Sequence, residues 1–93
     1  MIRVLIADDH PVVRKGLRNV FKATSDIVVA GEASDGYEVL EKVSGGHYDV
    51  LLLDISMPGI DGLELLKELR RSSPGLPVLF LSIYPEELHG VRA

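Results

Sequence analysis

Four short runs of Val, Ile and Leu recur along the chain: Ile2 to Ala7, Ile27 to Ala33, Val50 to Leu53 and Val78 to Leu81. Each is apolar nearly throughout. A strand with one wet face alternates apolar and polar residues, so runs without alternation belong to strands covered on both faces. Between them the period changes to that of a helix. Val13, Leu17, Val20 and Phe21 stand at i, i+4, i+7 and i+8, and Leu63, Leu66 and Leu69 form a second stripe. A shorter helix is expected from about Gly36 to Val43, and a further one is expected to begin near Pro85. Strands that alternate with helices pair in parallel through right-handed crossovers, which puts helices on both faces of an open sheet. The fold class is α/β, a doubly wound parallel sheet.

The helix-end residues agree with this division. Asp35 precedes Glu38 and Asp61 precedes Glu64 by three positions, the spacing of a capping box with Asp at the cap. Pro11 and Pro85 suit a first helical turn, where a missing N–H costs little. Gly45-Gly46 and Ser72-Ser73-Pro74-Gly75 are helix breakers. The 93 residues suffice for one hydrophobic core, so a single domain over 1-93 is expected. Hydrophobic residues make up 46% of the chain and charged residues 26%, which disfavours disorder. Without Cys there is no disulfide framework and no thiolate metal site. The sequence shows neither a bilayer-spanning apolar run nor a signal peptide, and a cytoplasmic location without membrane contact is expected. A net charge of −4 argues against a bare nucleic-acid-binding module. Arg14, Lys15, Arg18 and Lys22, with no acid among them, read as a solvated helix face more readily than as a docking surface for an acidic partner.

In doubly wound sheets, ligands bind beyond the C-terminal strand ends, where the strand order reverses. Asp8 and Asp9 follow the first strand, Asp54 ends the third, and Ser82 follows the fourth. If the first and third strands are neighbours, three carboxylates converge. Two unit charges 4 Å apart repel by about 4 kcal/mol at an effective dielectric of about 20, so such a cluster calls for a cation. Oxygen donors with no Cys select Mg²⁺ or Mn²⁺ over zinc.

Ala7-Asp8-Asp9-His10-Pro11, then Val50 to Asp54 with Ile55-Ser56-Met57-Pro58-Gly59-Ile60-Asp61-Gly62, then Pro77-Val78-Leu79-Phe80-Leu81-Ser82, strongly resemble the receiver domain of bacterial response regulators. The Asp-Asp-His-Pro-x-Val-Arg-x-Gly-Leu opening and Val29-Ala30-Gly31-Glu32-Ala33 ahead of Asp35-Gly36 resemble the NarL/FixJ (LuxR-type) subfamily. The resemblance implies a flavodoxin-like strand order of 2-1-3-4-5. It implies that Asp54 accepts a phosphoryl group from the phosphohistidine of a sensor histidine kinase. Asp8 and Asp9 would hold Mg²⁺ (or Mn²⁺) together with Asp54 and the backbone carbonyl of Ser56, and Ser82 would be the switch hydroxyl. Promoter DNA would be bound only through a helix-turn-helix effector domain that this chain does not include. The family's fifth strand with its Lys and aromatic residue, and its fifth helix, are not in this sequence, whose last Lys is Lys67. The expectation is a receiver domain truncated after the fourth strand, whose exposed sheet edge favours a homodimer or a domain-swapped assembly.

Two other functions stay open at this level. A phosphatase of the haloacid dehalogenase type also uses an Asp nucleophile and Mg²⁺, but expects an Asp where Ser56 stands; the chain is therefore not expected to be an enzyme. A non-signalling oligomerisation module could keep the fold alone. His10, His47 and His89 lack metal-ligand spacing and read as surface or turn residues, Tyr37, Tyr48 and Tyr84 as half-buried packing residues. Gly59 and Gly62 read as turn geometry.

Overall fold

The computed structural model describes residues 1–81. Ser82, Tyr84, His89 and the helix expected from Pro85 lie outside the described residues. Seven elements follow in order: β1 (Ile2–Ala7), α1 (Pro11–Lys22), β2 (Ile27–Ala33), α2 (Gly36–Gly45), β3 (Val50–Asp54), α3 (Gly62–Ser72) and β4 (Val78–Leu81). The four strands form one parallel sheet in the order β2-β1-β3-β4, the arrangement expected for a doubly wound flavodoxin-like sheet. β1 and β3 are the central pair, with Val4 to Ala7 opposite Val50 to Leu53.

Two apolar layers hold the sheet. Leu5, Ala7, Ala33, Leu51 and Leu53 meet Val39 of α2 and Leu65 and Leu69 of α3 on one face. On the other, Val4, Ile6 and Leu52 pack against Leu17 and Phe21 of α1. Both central strands are thus covered on both sides, as their unbroken apolar sequence requires. The edge strands are less so: Leu79 and Phe80 of β4 are 58% and 49% exposed.

α3 turns differently from the stripe read in the sequence. Leu63 is 71% exposed, while Leu65 and Leu69 carry the burial. Four leucines in seven positions allow more than one helical stripe, and contact with the sheet selects the phase. Tyr37, expected to be half-buried, is 65% exposed, whereas Tyr48 packs against the core as expected.

The α2 cap forms a variant of the expected box. Asp35 accepts from the Glu38 N–H at 2.8 Å, and Glu38 Oε1 reaches one residue further back than the usual box, to the Ser34 N–H at 2.7 Å. At α3 the reciprocal half is replaced: Asp61 accepts from the Leu63 N–H, and Glu64 faces Lys67. Gly59, at φ 95°, occupies the left-handed region that the turn after β3 needs. Gly62 has no such angle and is the first residue of α3.

Candidate functional site

The sheet brings the C-terminal ends of β1 and β3 side by side, with Ala7 opposite Leu53. Asp8 follows directly and Asp54 is the last residue of β3, so both leave the sheet at the same edge. They are buried, at 1% and 7% exposure, although each is a carboxylate. One ligand atom from each of Asp8, Asp9, His10 and Asp54 can be chosen so that all four lie within 4.8 Å of one another.

The oxygens of this cluster are unequally satisfied. Asp8 Oδ1 accepts from the His10 backbone N–H at 2.7 Å and lies 2.7 Å from His10 Nδ1. Asp54 Oδ1 accepts from the Ser56 N–H at 3.0 Å and from the Ser56 hydroxyl at 2.8 Å. Asp54 Oδ2 faces the cluster, 3.8 Å from His10 Nδ1. Asp9 Oδ1 is buried and accepts no hydrogen bond among the described residues, although His10 Nδ1, bonded to Asp8, is 3.2 Å away. Buried polar atoms are ordinarily hydrogen-bonded, and an oxygen without such a bond beside two further carboxylates could take a cation. Carboxylate oxygens from Asp8, Asp9 and Asp54 suit a hard divalent ion such as Mg²⁺ or Mn²⁺.

His10, read from the sequence as a surface or turn residue, caps α1 from the rim of this cluster with its side chain 60% exposed. Its pKa is raised from the ordinary histidine value by the hydrogen bond to Asp8, and then by the charges of Asp9 and Asp8. The backbone bond from His10 to Asp8 is an Asx turn, which folds the imidazole back over the acids.

The basic run on α1 is not simply a solvated face. Arg14 donates through Nε to Glu32 Oε1 at 3.0 Å and through Nη1 to the Asp8 carbonyl at 2.6 Å. Arg18 Nη1 donates to both Glu32 oxygens at 2.7 Å. Glu32 is on β2, so the pairing joins residues 18 positions apart that only the α1 crossover brings together. Arg14 belongs to the Asp-Asp-His-Pro-x-Val-Arg-x-Gly-Leu opening, but its contacts with Glu32 and Asp8 are visible only in the fold.

Ser56 stands beside Asp54, and Ser82, the expected switch hydroxyl, is outside the described residues. No helix among the described residues is long and apolar enough to cross a membrane.

Comparison with known proteins supplies the remaining observations. The family described as the response regulator receiver domain matches residues 4–93. An uncharacterized transcriptional regulatory protein of Bacillus subtilis, YhcZ, is 39% identical over 92 residues, which are 99% of this chain and 43% of that protein. A protein-glutamate methylesterase/protein-glutamine glutaminase of Hydrogenovibrio crunogenus is 46% identical over 86 residues, 92% of this chain but 23% of that protein. Among solved structures, RcsB of Salmonella enterica serovar Typhimurium, bound to a promoter in the presence of phosphomimetic BeF3-, superposes with a TM-score of 0.83 at 34% identity, covering 89% of this chain and 42% of RcsB. The chain spans less than half the length of each of these proteins.

Proposed function

This chain belongs to the response regulator receiver domain family, and from that premise we propose that it is the phospho-accepting part of a two-component transcriptional regulator, with Asp54 as the acceptor. The observation that supports this best is the convergence of Asp54 with Asp8 and Asp9, where a buried Asp9 oxygen accepts no hydrogen bond among the described residues.

Asp54 Oδ1 is engaged by Ser56, which fixes the plane of the carboxylate and leaves Oδ2 turned toward the acidic pair. In the proposed reaction an Asp54 oxygen attacks the phosphorus of a sensor kinase phosphohistidine. The O–P bond forms as the P–N bond breaks, the imidazole departs with the electron pair and takes a proton, and an acyl phosphate remains on Asp54. The work left to the protein is alignment of the acceptor and compensation of charge. Mg²⁺ or Mn²⁺, held by Asp8, Asp9, Asp54 and the Ser56 carbonyl, would supply positive charge against the phosphoryl group. The product carries a charge of about −1.5 to −2 at the end of β3, spread over three phosphoryl oxygens, in place of the single charge of the carboxylate. In this reading Ser82 is the hydroxyl that responds to that charge, and promoter DNA is reached through an effector domain beyond this chain. RcsB supports that output, and the Bacillus relative supports a role in transcription.

In this reading the chain does not turn over a substrate of its own: the methylesterase match covers only 23% of that enzyme. A cytoplasmic setting and pairing with a second copy complete the proposal, the latter supported by the exposed Leu79 and Phe80 of β4. Incubation with acetyl phosphate or phosphoramidate and Mg²⁺ tests it. Wild type should gain one acid-stable, base-labile phosphate, and equal labelling of Asp54→Asn would overturn the assignment.

A further inference from the structure

Asp9 has the least support of the three carboxylates. Asp8 is held by His10 and Asp54 by Ser56, while Asp9 Oδ1 accepts no hydrogen bond among the described residues. His10 Nδ1, 3.2 Å from that oxygen, is already bonded to Asp8, so the direction of the Asp9 side chain depends chiefly on its backbone, and first on the peptide that joins it to Asp8. That peptide's carbonyl is the acceptor of the Arg14 Nη1 bond at 2.6 Å, a charge-assisted contact of the short, strong kind. The preceding peptide is also pinned, because the Asp8 N–H donates to the Ala33 carbonyl at 2.9 Å. Arg14 has itself been given only one direction: Nε is taken by Glu32, and Glu32 is anchored in turn by Arg18. A planar guanidinium bound on two edges keeps its fork rigid in a way that a single-point ammonium does not.

We propose that Arg14 is a positioning residue for the acidic pair, held in place by Glu32 and Arg18, and that it sets the affinity for a divalent cation without touching the ion. The inference rests on the metal reading given above. A chain of contacts runs from the solvent-facing side of α1, through β2, to the Asp8–Asp9 peptide. Breaking it lets that peptide rotate and carries the Asp9 carboxylate away from Asp8 and Asp54. Groups that orient metal ligands from behind typically change affinity by about 10- to 100-fold when removed.

The sign of the effect separates positioning from simple electrostatics. Arg14 is a cation close to the site, so on charge alone its removal strengthens the binding of another cation. Positioning predicts the reverse.

The test is Mn²⁺ binding to the full chain, followed by loss of the free-ion electron paramagnetic resonance signal at fixed pH and ionic strength, with a urea unfolding curve for each variant. Arg14→Ala should bind Mn²⁺ about tenfold more weakly than wild type. Arg14→Lys, which keeps one donor, should recover part of the loss. Glu32→Ala, which leaves Arg14 unanchored, should lose affinity in the same direction by a smaller factor, and it carries the test if Arg14→Ala does not fold. Lys15→Ala, an exposed cation on the same helix, should bind as wild type or slightly tighter. Folded Arg14→Ala with unchanged or tighter binding overturns the positioning role and leaves the metal site standing. Wild type that takes up no Mn²⁺ at millimolar concentration overturns the metal reading itself, and this inference with it.

Discussion

The Ser56 hydroxyl lies 2.8 Å from Asp54 Oδ1, and the Ser56 backbone N–H donates to the same oxygen at 3.0 Å. One carboxylate oxygen therefore carries two local donors, while the other faces the acidic pair. The arrangement follows from sequence separation: a residue two positions after an Asp can return both its N–H and its side chain to that Asp. Ser56→Ala removes the hydroxyl and keeps the N–H. It should slow labelling of Asp54 by a small phosphodonor without abolishing it, and lower the unfolding free energy by about 0.5 to 1 kcal/mol. Ser56→Thr should restore both. Labelling of Ser56→Ala at the wild-type rate would show that the hydroxyl has no part in aligning the acceptor.

Asp8 and Asp9 are adjacent in sequence and opposite in their expected effects. Asp8 is buried and satisfies two donors of His10, so Asp8→Ala should destabilise the metal-free protein by about 1 to 3 kcal/mol. Asp9 has a buried oxygen that accepts no hydrogen bond among the described residues and lies 3.2 Å from His10 Nδ1, and its side chain is about a third exposed. Relief of repulsion in Asp9→Ala should raise metal-free stability by about 1 kcal/mol, the high-dielectric end of the Coulomb range. Magnesium at ten times its dissociation constant should stabilise wild type by about 1.4 kcal/mol, and Asp9→Ala should lose that response. Thermal melts with and without MgCl₂ measure both effects.

The cap of α2 makes a pH prediction. The Glu38 pKa is lowered by the Ser34 backbone N–H, then by the Ser34 hydroxyl, with smaller help from Lys42 and Arg14. A group with a depressed folded-state value contributes stability that is present above its unfolded value and lost as pH falls through the folded one. The contribution should be complete above about pH 4.5 and disappear on further acidification. Glu38→Gln should therefore be less stable than wild type at pH 7 and approach it at about pH 3. Urea midpoints across that range check it; a wild-type advantage that grows on acidification would show that Glu38 is not the responsible group.

Gly59, in the turn after β3, and Gly62, at the start of α3, should respond differently to alanine. Gly59 has φ 95°, where an L side chain crowds its own carbonyl, so Gly59→Ala should cost about 1 to 2 kcal/mol. A Cβ on Gly62 would stand 3.5 Å from the Ile55 carbonyl oxygen, an ordinary contact, at the first position of α3. Gly62→Ala should be neutral or slightly stabilising, because alanine loses less entropy in a helix. Chemical denaturation of the two variants separates the turn requirement from mere proximity to the site.

The strands were legible because burial on both faces leaves a continuous apolar run that few other structures require. The acidic site was legible for a related reason: polar residues that end such runs lie at a sheet edge, and parallel pairing puts those edges together. What the sequence concealed depends on contacts made across the fold. The phase of α3 was ambiguous among Leu63, Leu65, Leu66 and Leu69 until the sheet selected Leu65 and Leu69. Arg14 and Glu32 meet because α1 crosses beside β2, and no periodicity in either segment encodes that crossing. His10 needed the Asx turn at Asp8 to bring its ring over the carboxylates.

The remaining prediction concerns β4. Among the described residues it pairs with β3 alone, through Val78 to Leu81 opposite Leu51 to Asp54. Leu79 and Phe80 project to opposite faces of the sheet, as successive strand residues do, and both are about half exposed. An edge strand with apolar residues on both faces is a template for pairing with another chain. A second copy is the occupant that needs no other component, because β4 against β4 across a two-fold axis satisfies both edges at once. The 93-residue chain should therefore sediment at micromolar concentration as a dimer or larger species. Leu79→Lys puts a charge on that edge and should shift the population toward the species of 10.2 kDa while leaving the buried layers untouched. Wild type that sediments only at the monomer mass and unfolds cooperatively would eliminate association through this edge.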